Sequence, residues 1–217
     1  PDTALQEAKN RVRSAIRNCR EDWPNTCVTL ALSPAALPKS GTAYDLALAC
    51  AVLAGAEQVP GHRLESTVLF GELALDGRVR PVLGLLPGLM AARRTGIRRA
   101  VVPVEGLAEA NLVDGIEAFG VGHLRELLAW LREEGELLRH PRCAPAAVPE
   151  ETPDLADVLG QPEARWALEV AAAGGHHLLL VGPPGTGKTM LAQRLCGLLP
   201  PLTHQESLEV TAMRSVV

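Results

Sequence analysis

The spacing of apolar residues near the start of the chain predicts an amphipathic helix. Apolar side chains recur three or four positions apart, at Leu5, Ala8, Val12, Ile16 and Cys19. In a helix this spacing gathers them on one face, while basic residues fall on the other faces. We therefore expect this helix to cover a hydrophobic core.

Two further elements are predicted before residue 60. Residues 27–32 alternate between apolar and polar side chains, as a strand with one buried face does. Residues 42–54 are rich in alanine and leucine and predict a buried helix that ends at Gly55.

An Asp-Gly pair predicts a hairpin in the next part of the chain. Strand-like runs cover residues 67–75 and 79–83, and Asp76-Gly77 lies between them. This pair adopts the positive φ angles of a tight hairpin turn readily, so we expect the two runs to pair as antiparallel strands.

Helices and strands then alternate up to residue 131. The predicted elements are a helix at 88–95, a strand at 99–103, a short helix at 106–112, a strand at 116–121 and a helix at 122–131. Alternation of this kind with short connections implies an α/β layer structure.

Prolines at positions 141, 145, 149 and 153 mark a linker, because this stretch has no apolar period and fixed φ angles stiffen it. We predict a first domain at 1–140, a linker at 141–153 and a second domain at 154–217. The second domain is expected to begin with a helix at 162–173, a buried strand at 177–181 and a helix at 188–199.

Composition limits the classes of protein that fit. Of the 217 residues, 47% are hydrophobic and 21% charged, and the net charge of −4 argues against a protein that grips nucleic acid through bulk charge. Five cysteines without a zinc spacing, no secretory signal and no apolar run long enough for a bilayer predict a cytoplasmic protein that does not associate with membranes.

The pattern G-x-x-x-x-G-K-[ST] predicts a phosphate-binding loop after the strand at 177–181. Glycines let the backbone turn its N–H groups inward, and the start of the next helix adds its positive dipole end. Lys188 is expected to contact the β and γ phosphates of ATP, and Thr189 to bind Mg²⁺. The loop consists of Gly182, Pro183, Pro184, Gly185, Thr186, Gly187, Lys188 and Thr189.

Hydrolysis requires an acidic pair at the end of a second apolar strand, which holds magnesium and orients water. After Thr189 the acidic residues are Glu206 and Glu209, and neither follows such a strand. We therefore expect this chain to bind nucleotide without turning it over.

Two stretches of sequence resemble one family. Residues 174–202, preceded by Asp157-Val-Leu-Gly-Gln161, resemble the AAA+ module of the magnesium-chelatase-like ATPases called YifB or ComM. Residues 1–131 resemble the Lon-protease-like domain that precedes this module, through PDTALQEAKNRVRSAIRN, LPKSGTAYDLALA and FGELALDGRVRPVLGLLPGL.

The resemblance implies a Lon-protease-like α+β domain followed by the first part of a P-loop AAA+ α/β domain, within a fragment of a longer protein. It implies ATP and Mg²⁺ as cofactors, a homo-hexameric ring and DNA branch migration or helicase action. It also implies that the adenine lies near Val158, Leu159, Gly160 and Gln161.

The chain departs from Lon proteases at both catalytic positions. Ala43 stands where the resemblance puts the serine nucleophile, and Leu86 where it puts the lysine base. Without either group the dyad cannot form, so we expect no proteolysis.

Other interpretations stay open. A magnesium chelatase subunit that drives metal insertion into a porphyrin, an ATP-dependent protease and a non-catalytic nucleotide sensor are the alternatives. Arg93-Arg94 and Arg98-Arg99 could contact nucleic-acid phosphates, although we favour a structural role at the end of a helix. For His176-His177 we favour a turn over a metal site.

Overall fold

The computed structural model describes residues 3–32, 42–139 and 153–216. These residues form a mixed α/β structure that contains a parallel sheet. They divide into two compact units, of which the first combines Pro1–Ala144 with Gln205–Val217 and the second is Pro145–His204. None of the helices in the described ranges has the length and apolar character needed to cross a bilayer.

The described ranges fold into both α-helices and short β-strands. The α-helices are α1 Thr3–Asn18, α2 Asp45–Gly55, α3 Leu85–Arg94, α4 Leu107–Ala110, α5 Leu124–Leu131, α6 Pro162–Gly174, α7 Lys188–Leu198 and α8 His204–Arg214. The strands are β1 Thr67–Leu69, β2 Glu72–Leu73, β3 Val79–Arg80, β4 Arg99–Pro103 and β5 Glu117–Val121. Single 3-10 turns lie at Val104–Gly106 and Leu155–Asp157.

A three-stranded parallel sheet forms the centre of the first unit, in the order β1, β4, β5. Val101 of β4 faces one apolar cluster, whereas its neighbours Ala100 and Val102 face another. This alternation is what a strand covered on both sides requires. The first cluster is filled mainly by α1, α2 and α5, and the second by α3 and α4.

The predicted hairpin is present but shorter than expected. β2 and β3 pair antiparallel, with Leu73 opposite Val79, and Gly77 in the turn has a φ of 92°. β1 leaves this hairpin and joins the parallel sheet instead. The strand is interrupted at Gly71, whose N–H donates to the carbonyl of Ala43 over 3.1 Å.

The predicted strand at 27–32 is wrong. Val28, Leu30 and Leu32 pack partly against the first cluster, but the run pairs with no other strand of the described residues. One of its carbonyls, that of Val28, accepts a hydrogen bond from the Lys9 ammonium over 2.8 Å. The alternation of apolar residues belongs instead to an extended segment that rests on the core.

Helix α8 was not predicted, and it belongs to the first unit rather than the second. Leu208 is 4% exposed and lies in the second apolar cluster, and Ala212 packs against the same cluster. The N–H of Gly84, just before α3, donates to the carbonyl of Ser215 over 3.1 Å. The predicted domain limits stay a prediction, and the linker lies almost entirely outside the described residues.

The second unit is built around helices α6 and α7. Pro162 occupies the first turn of α6, and Gly175 follows its end with a φ of 63°, as the sequence predicted. The core residues of this unit are Leu155, Val158, Leu168 and Leu191.

The predicted buried strand at 177–181 is wrong as well. The segment has no strand partner, and the side chains of Leu179 and Val181 are 83% and 85% exposed. A buried strand requires neighbouring strands, and the described residues of the second unit contain none. The apolar run is therefore unpaired chain, of which Leu180 packs partly against the core of the second unit.

Candidate nucleotide-binding site

The loop at 182–189 connects the extended segment to helix α7. Gly185 and Gly187 have φ angles of 82° and 79°, a left-handed conformation that a residue with a Cβ adopts at a cost. Gly187 is the residue before the helix, which begins at Lys188. The two glycines therefore let the chain curl and then enter α7 directly.

The ammonium group of Lys188 lies inside this loop. Its Nζ donates to the carbonyl oxygens of Gly182 over 2.8 Å and Pro183 over 2.6 Å, and to the hydroxyl of Thr186 over 3.3 Å. That hydroxyl in turn donates to the carbonyl of Pro183 over 2.9 Å. These contacts fix a positive charge at the mouth of the loop, at the positive end of an eleven-residue helix.

Thr189 lies in the first turn of α7 and is exposed. Its position directly after Lys188 puts a hydroxyl beside the ammonium-bearing residue at the helix start. In the described part of the chain, no three His, Cys, Asp or Glu side chains are placed to hold a metal ion together.

The second predicted segment, Val158–Gln161, lies against the loop. The side-chain amide of Gln161 donates to the carbonyl of Thr186 over 3.2 Å. A Cβ added at Gly187 would lie 3.2 Å from the same amide nitrogen, so the two segments are in close contact. The structure therefore brings together the two sets of residues that the sequence selected.

The side chains of this segment point to different surroundings. Val158 is 1% exposed and packs in the core of the second unit, whereas Leu159 is 92% exposed. Gly160 and Gln161 follow with φ angles of 77° and 51°. Two successive left-handed residues form a sharp turn that leads into α6.

Two arginines that the sequence analysis did not select hold this arrangement. Arg165 donates from its guanidinium to the carbonyl of Val158 over 3.3 Å and from its N–H to that of Gln161 over 3.0 Å. Arg194 of α7 donates to the carbonyl of Asp154 over 2.9 Å. Only the position of Arg165, four residues after Gln161 in the first turns of α6, could have indicated this role.

The two positions that the sequence analysis assigned to the Lon dyad, Ala43 and Leu86, have structural roles. Leu86 is fully buried in the second apolar cluster of the first unit, and the carbonyl of Ala43 accepts a hydrogen bond from Gly71. The neighbouring Thr42 hydroxyl donates to the carboxylate of Glu72.

Family models match both ends of the chain. Residues 1–106 match the model for subunit ChlI of Mg-chelatase, and residues 154–217 match the model for magnesium chelatase, subunit ChlI. The fold and these matches define a magnesium-chelatase-like protein, a class related to AAA+ ATPases.

Relatives align over the whole length of the chain. It is 58% identical to an uncharacterized protein of Mycobacterium tuberculosis, 46% to YifB of Salmonella typhimurium and 38% to the competence protein ComM of Haemophilus influenzae. The chain belongs to the YifB/ComM family of magnesium-chelatase-like proteins. It spans 43%, 42% and 43% of the lengths of these three relatives.

Similarity to Lon proteases is weaker and partial. The chain is 30% identical to Lon protease 2 of Bacillus subtilis over 97 residues, which is 44% of this chain and 17% of that protein.

Proposed function

We propose that residues 182–189 bind ATP together with Mg²⁺. The observation that carries this proposal is the position of the Lys188 ammonium, which three loop oxygens hold at the start of α7. Backbone N–H groups of the loop and the helix dipole attract phosphate oxygens at the same place. Lys188 contacts the β and γ phosphates, and the hydroxyl of Thr189 is a ligand of the magnesium ion.

The adenine packs beside Val158–Gln161. Leu159 is an almost fully exposed apolar side chain within two residues of Gln161, which contacts the loop. Burying its surface against a purine ring is favourable, because apolar area leaves water on both partners. A hydrophobic surface of this kind accepts any flat base and does not by itself select adenine.

In the longer protein this site belongs to an AAA+ motor that acts on DNA. Identity to the competence protein ComM along the whole chain supports this choice. The first unit is an inactive Lon-like domain, a proposal supported by the similarity to Lon protease 2 and by Ala43 and Leu86 at the dyad positions. The motor is a homo-hexameric ring in the cytoplasm that drives branch migration or helicase action.

The alternative is a chelatase-type motor that drives metal insertion into a porphyrin. The two family matches are as compatible with this function as with the DNA motor. The full-length protein separates the two. Stimulation of its ATPase by branched DNA supports the first function, and stimulation by a porphyrin-binding partner subunit supports the second.

The 217-residue chain is proposed to bind nucleotide without hydrolysis, and a phosphate-release rate that disappears in Lys188→Ala would refute that part.

Calorimetric titration with magnesium and a slowly hydrolysed ATP analogue tests the binding site. We expect uptake by the unaltered chain and none by Lys188→Ala. Lys9→Ala is the matched control, because it removes a lysine of the first unit whose ammonium also donates to a backbone carbonyl. Equal uptake by Lys188→Ala and Lys9→Ala would overturn the proposal, and circular dichroism establishes that each variant is folded.

A further inference from the structure

Four arginines form a basic surface on the first unit, which we call the arginine edge. It consists of Arg93 and Arg94, in the last turn of α3, Arg98, which precedes β4, and Arg99, the first residue of β4. All four side chains are exposed, and the segment from 93 to 99 contains no acidic residue. The edge is thus a local excess of positive charge on a chain whose net charge is −4.

Two of these guanidinium groups converge on one point. A Cβ placed at Gly115 would lie 3.2 Å from Nη1 of Arg98 and 3.8 Å from Nε of Arg93. The two nitrogen atoms are therefore at most 7.0 Å apart, the sum of these distances. Like charges this close repel each other, and an anion between them would turn the repulsion into attraction.

Nearby carboxylates neutralise this charge only in part. Glu117 lies 3.9 Å from Arg99 and also 3.1 Å from Arg139, so one carboxylate serves two arginines. Within the described residues, no carboxylate forms an ion pair with Arg93, Arg94 or Arg98. The edge therefore keeps three arginines whose positive charges have no ion-pair partner there.

A structural role explains only half of the edge. Arg93 and Arg94 favour the negative end of α3, where cations stabilise the helix dipole. Arg98 and Arg99 lie beyond the helix and gain nothing from its dipole. Arg99 makes an exposed ion pair with Glu117 over 3.9 Å, a kind of pair that contributes little to stability, and Arg98 forms no ion pair among the described residues.

We propose that the arginine edge binds the phosphodiester backbone of nucleic acid. The guanidinium fork matches two phosphate oxygens at once, and a row of such groups releases condensed counterions as it binds. Phe119 and Trp130 are 3% and 8% exposed and are not available to stack on bases. A contact made to phosphates alone carries no sequence information.

A membrane surface fits the edge less well. Helices and loops that bind membranes insert apolar side chains beside their basic residues. The only large apolar residue between positions 93 and 99 is Ile97, which packs against the second apolar cluster of its own unit. Nucleic-acid binding at the arginine edge rests on the DNA-directed part of the proposed function and gives that function a location. It does not depend on ATP binding at residues 182–189.

Fluorescence anisotropy with a short labelled single strand and its duplex tests the proposal, over a series of salt concentrations. The double variant Arg93→Gln/Arg98→Gln is expected to bind roughly tenfold more weakly. For the single strand, the slope of log affinity against log salt concentration should be less steep by about 1.4, because each of the two lost charges contributes about 0.7. The matched control is Arg78→Gln/Arg80→Gln, which loses the same charge from arginines of the same unit that pair with Asp76 and Glu72.

Three outcomes would overturn the proposal. They are no binding of either oligonucleotide at low salt, equal weakening in both double variants, and binding only to vesicles that contain phosphatidylglycerol. Lys188→Ala separates this proposal from the nucleotide site, because it should lose ATP uptake and keep its affinity for the oligonucleotides. Thermal melting of both double variants establishes that the first unit remains folded.

Discussion

The side-chain amide of Gln161 donates a hydrogen bond to the main-chain carbonyl of Thr186 over 3.2 Å. This bond joins the turn before α6 to the middle of the loop at 182–189. Gln161 itself has a φ of 51°, which few residues with a Cβ adopt. A residue that lies outside the G-x-x-x-x-G-K-[ST] pattern is therefore hydrogen-bonded to the loop.

Replacing Gln161 by alanine should weaken binding of the magnesium nucleotide about three- to tenfold, because a single hydrogen bond contributes about 0.5–1.5 kcal/mol. Titration calorimetry measures the change. Gln205→Ala is the control, since its amide bonds to Glu209 on the exposed surface of α8. Unchanged affinity in Gln161→Ala would mean that the loop holds its shape without this contact.

Thr189→Ala should lower nucleotide affinity when magnesium is present and leave it unchanged in the presence of a chelator. The reason is that the proposed role of the Thr189 hydroxyl is to bind the ion rather than a phosphate. Thr189→Ser keeps the hydroxyl and should restore the magnesium effect. A loss of affinity that is equal with and without magnesium would contradict this role.

Leu208→Ala should destabilise the first unit by about 2–5 kcal/mol, because it removes a buried side chain from the second apolar cluster. Cys50 provides a probe of this unit alone: it is fully buried, and burial raises the pKa of its thiol to about 12. Alkylation of Cys50, followed by peptide mass spectrometry, should be faster in the variant.

Met213→Ala is the matched control for Leu208→Ala, since Met213 lies on the same helix and is 65% exposed. It should leave the rate of Cys50 alkylation unchanged. If both variants react at the same rate as the unaltered chain, α8 contributes nothing to the stability of the first unit.

Arg11→Met should destabilise the first unit by about 3 kcal/mol, because it leaves the carboxylate of Asp45 buried without its cation. Asp45 is 1% exposed, and Arg11 contacts both of its oxygens, at 2.9 and 3.1 Å. Burial raises the pKa of Asp45 above its ordinary value although Arg11 opposes the change. Removing Arg11 raises this pKa further.

The pH dependence of the stability of Arg11→Met follows from the raised pKa of Asp45. As pH falls toward the raised pKa, Asp45 takes up a proton and the buried charge disappears. The loss of unfolding free energy in Arg11→Met, relative to the unaltered chain, should therefore be smaller at about pH 5 than at about pH 8. Denaturant unfolding at the two pH values measures it. In Arg11→Met/Asp45→Asn the loss should be the same at both, and a pH-dependent difference there would place the titrating group elsewhere.

Local patterns predicted the elements whose determinants lie within a few residues. Pro162 and Gly175 bound α6, Asp76-Gly77 forms the hairpin turn, and the apolar runs of β4 and β5 pair in the parallel sheet. The loop at 182–189 is likewise a local motif. Gly185 and Gly187 adopt left-handed angles, and Lys188 begins α7.

Elements that depend on distant partners were not predictable in this way. The run at 177–181 has the composition of a buried strand, but a strand forms only beside another strand. The contact of Gln161 with Thr186 spans 25 positions, and the docking of Leu208 on the second cluster joins it to residues such as Leu86, more than 100 positions away. A pattern within a short window of sequence cannot reveal contacts between residues this far apart in the chain.

Because Leu208 of α8 packs in the second apolar cluster, the sequence of the second unit lies between two parts of the first. The polypeptide completes its sheet, forms helices α6 and α7, and then returns to supply one more piece of the earlier core. Cleavage at a single bond between the units would therefore leave products that stay associated through Leu208. Expression of residues 1–144 alone would leave uncovered the apolar surface on which this leucine rests.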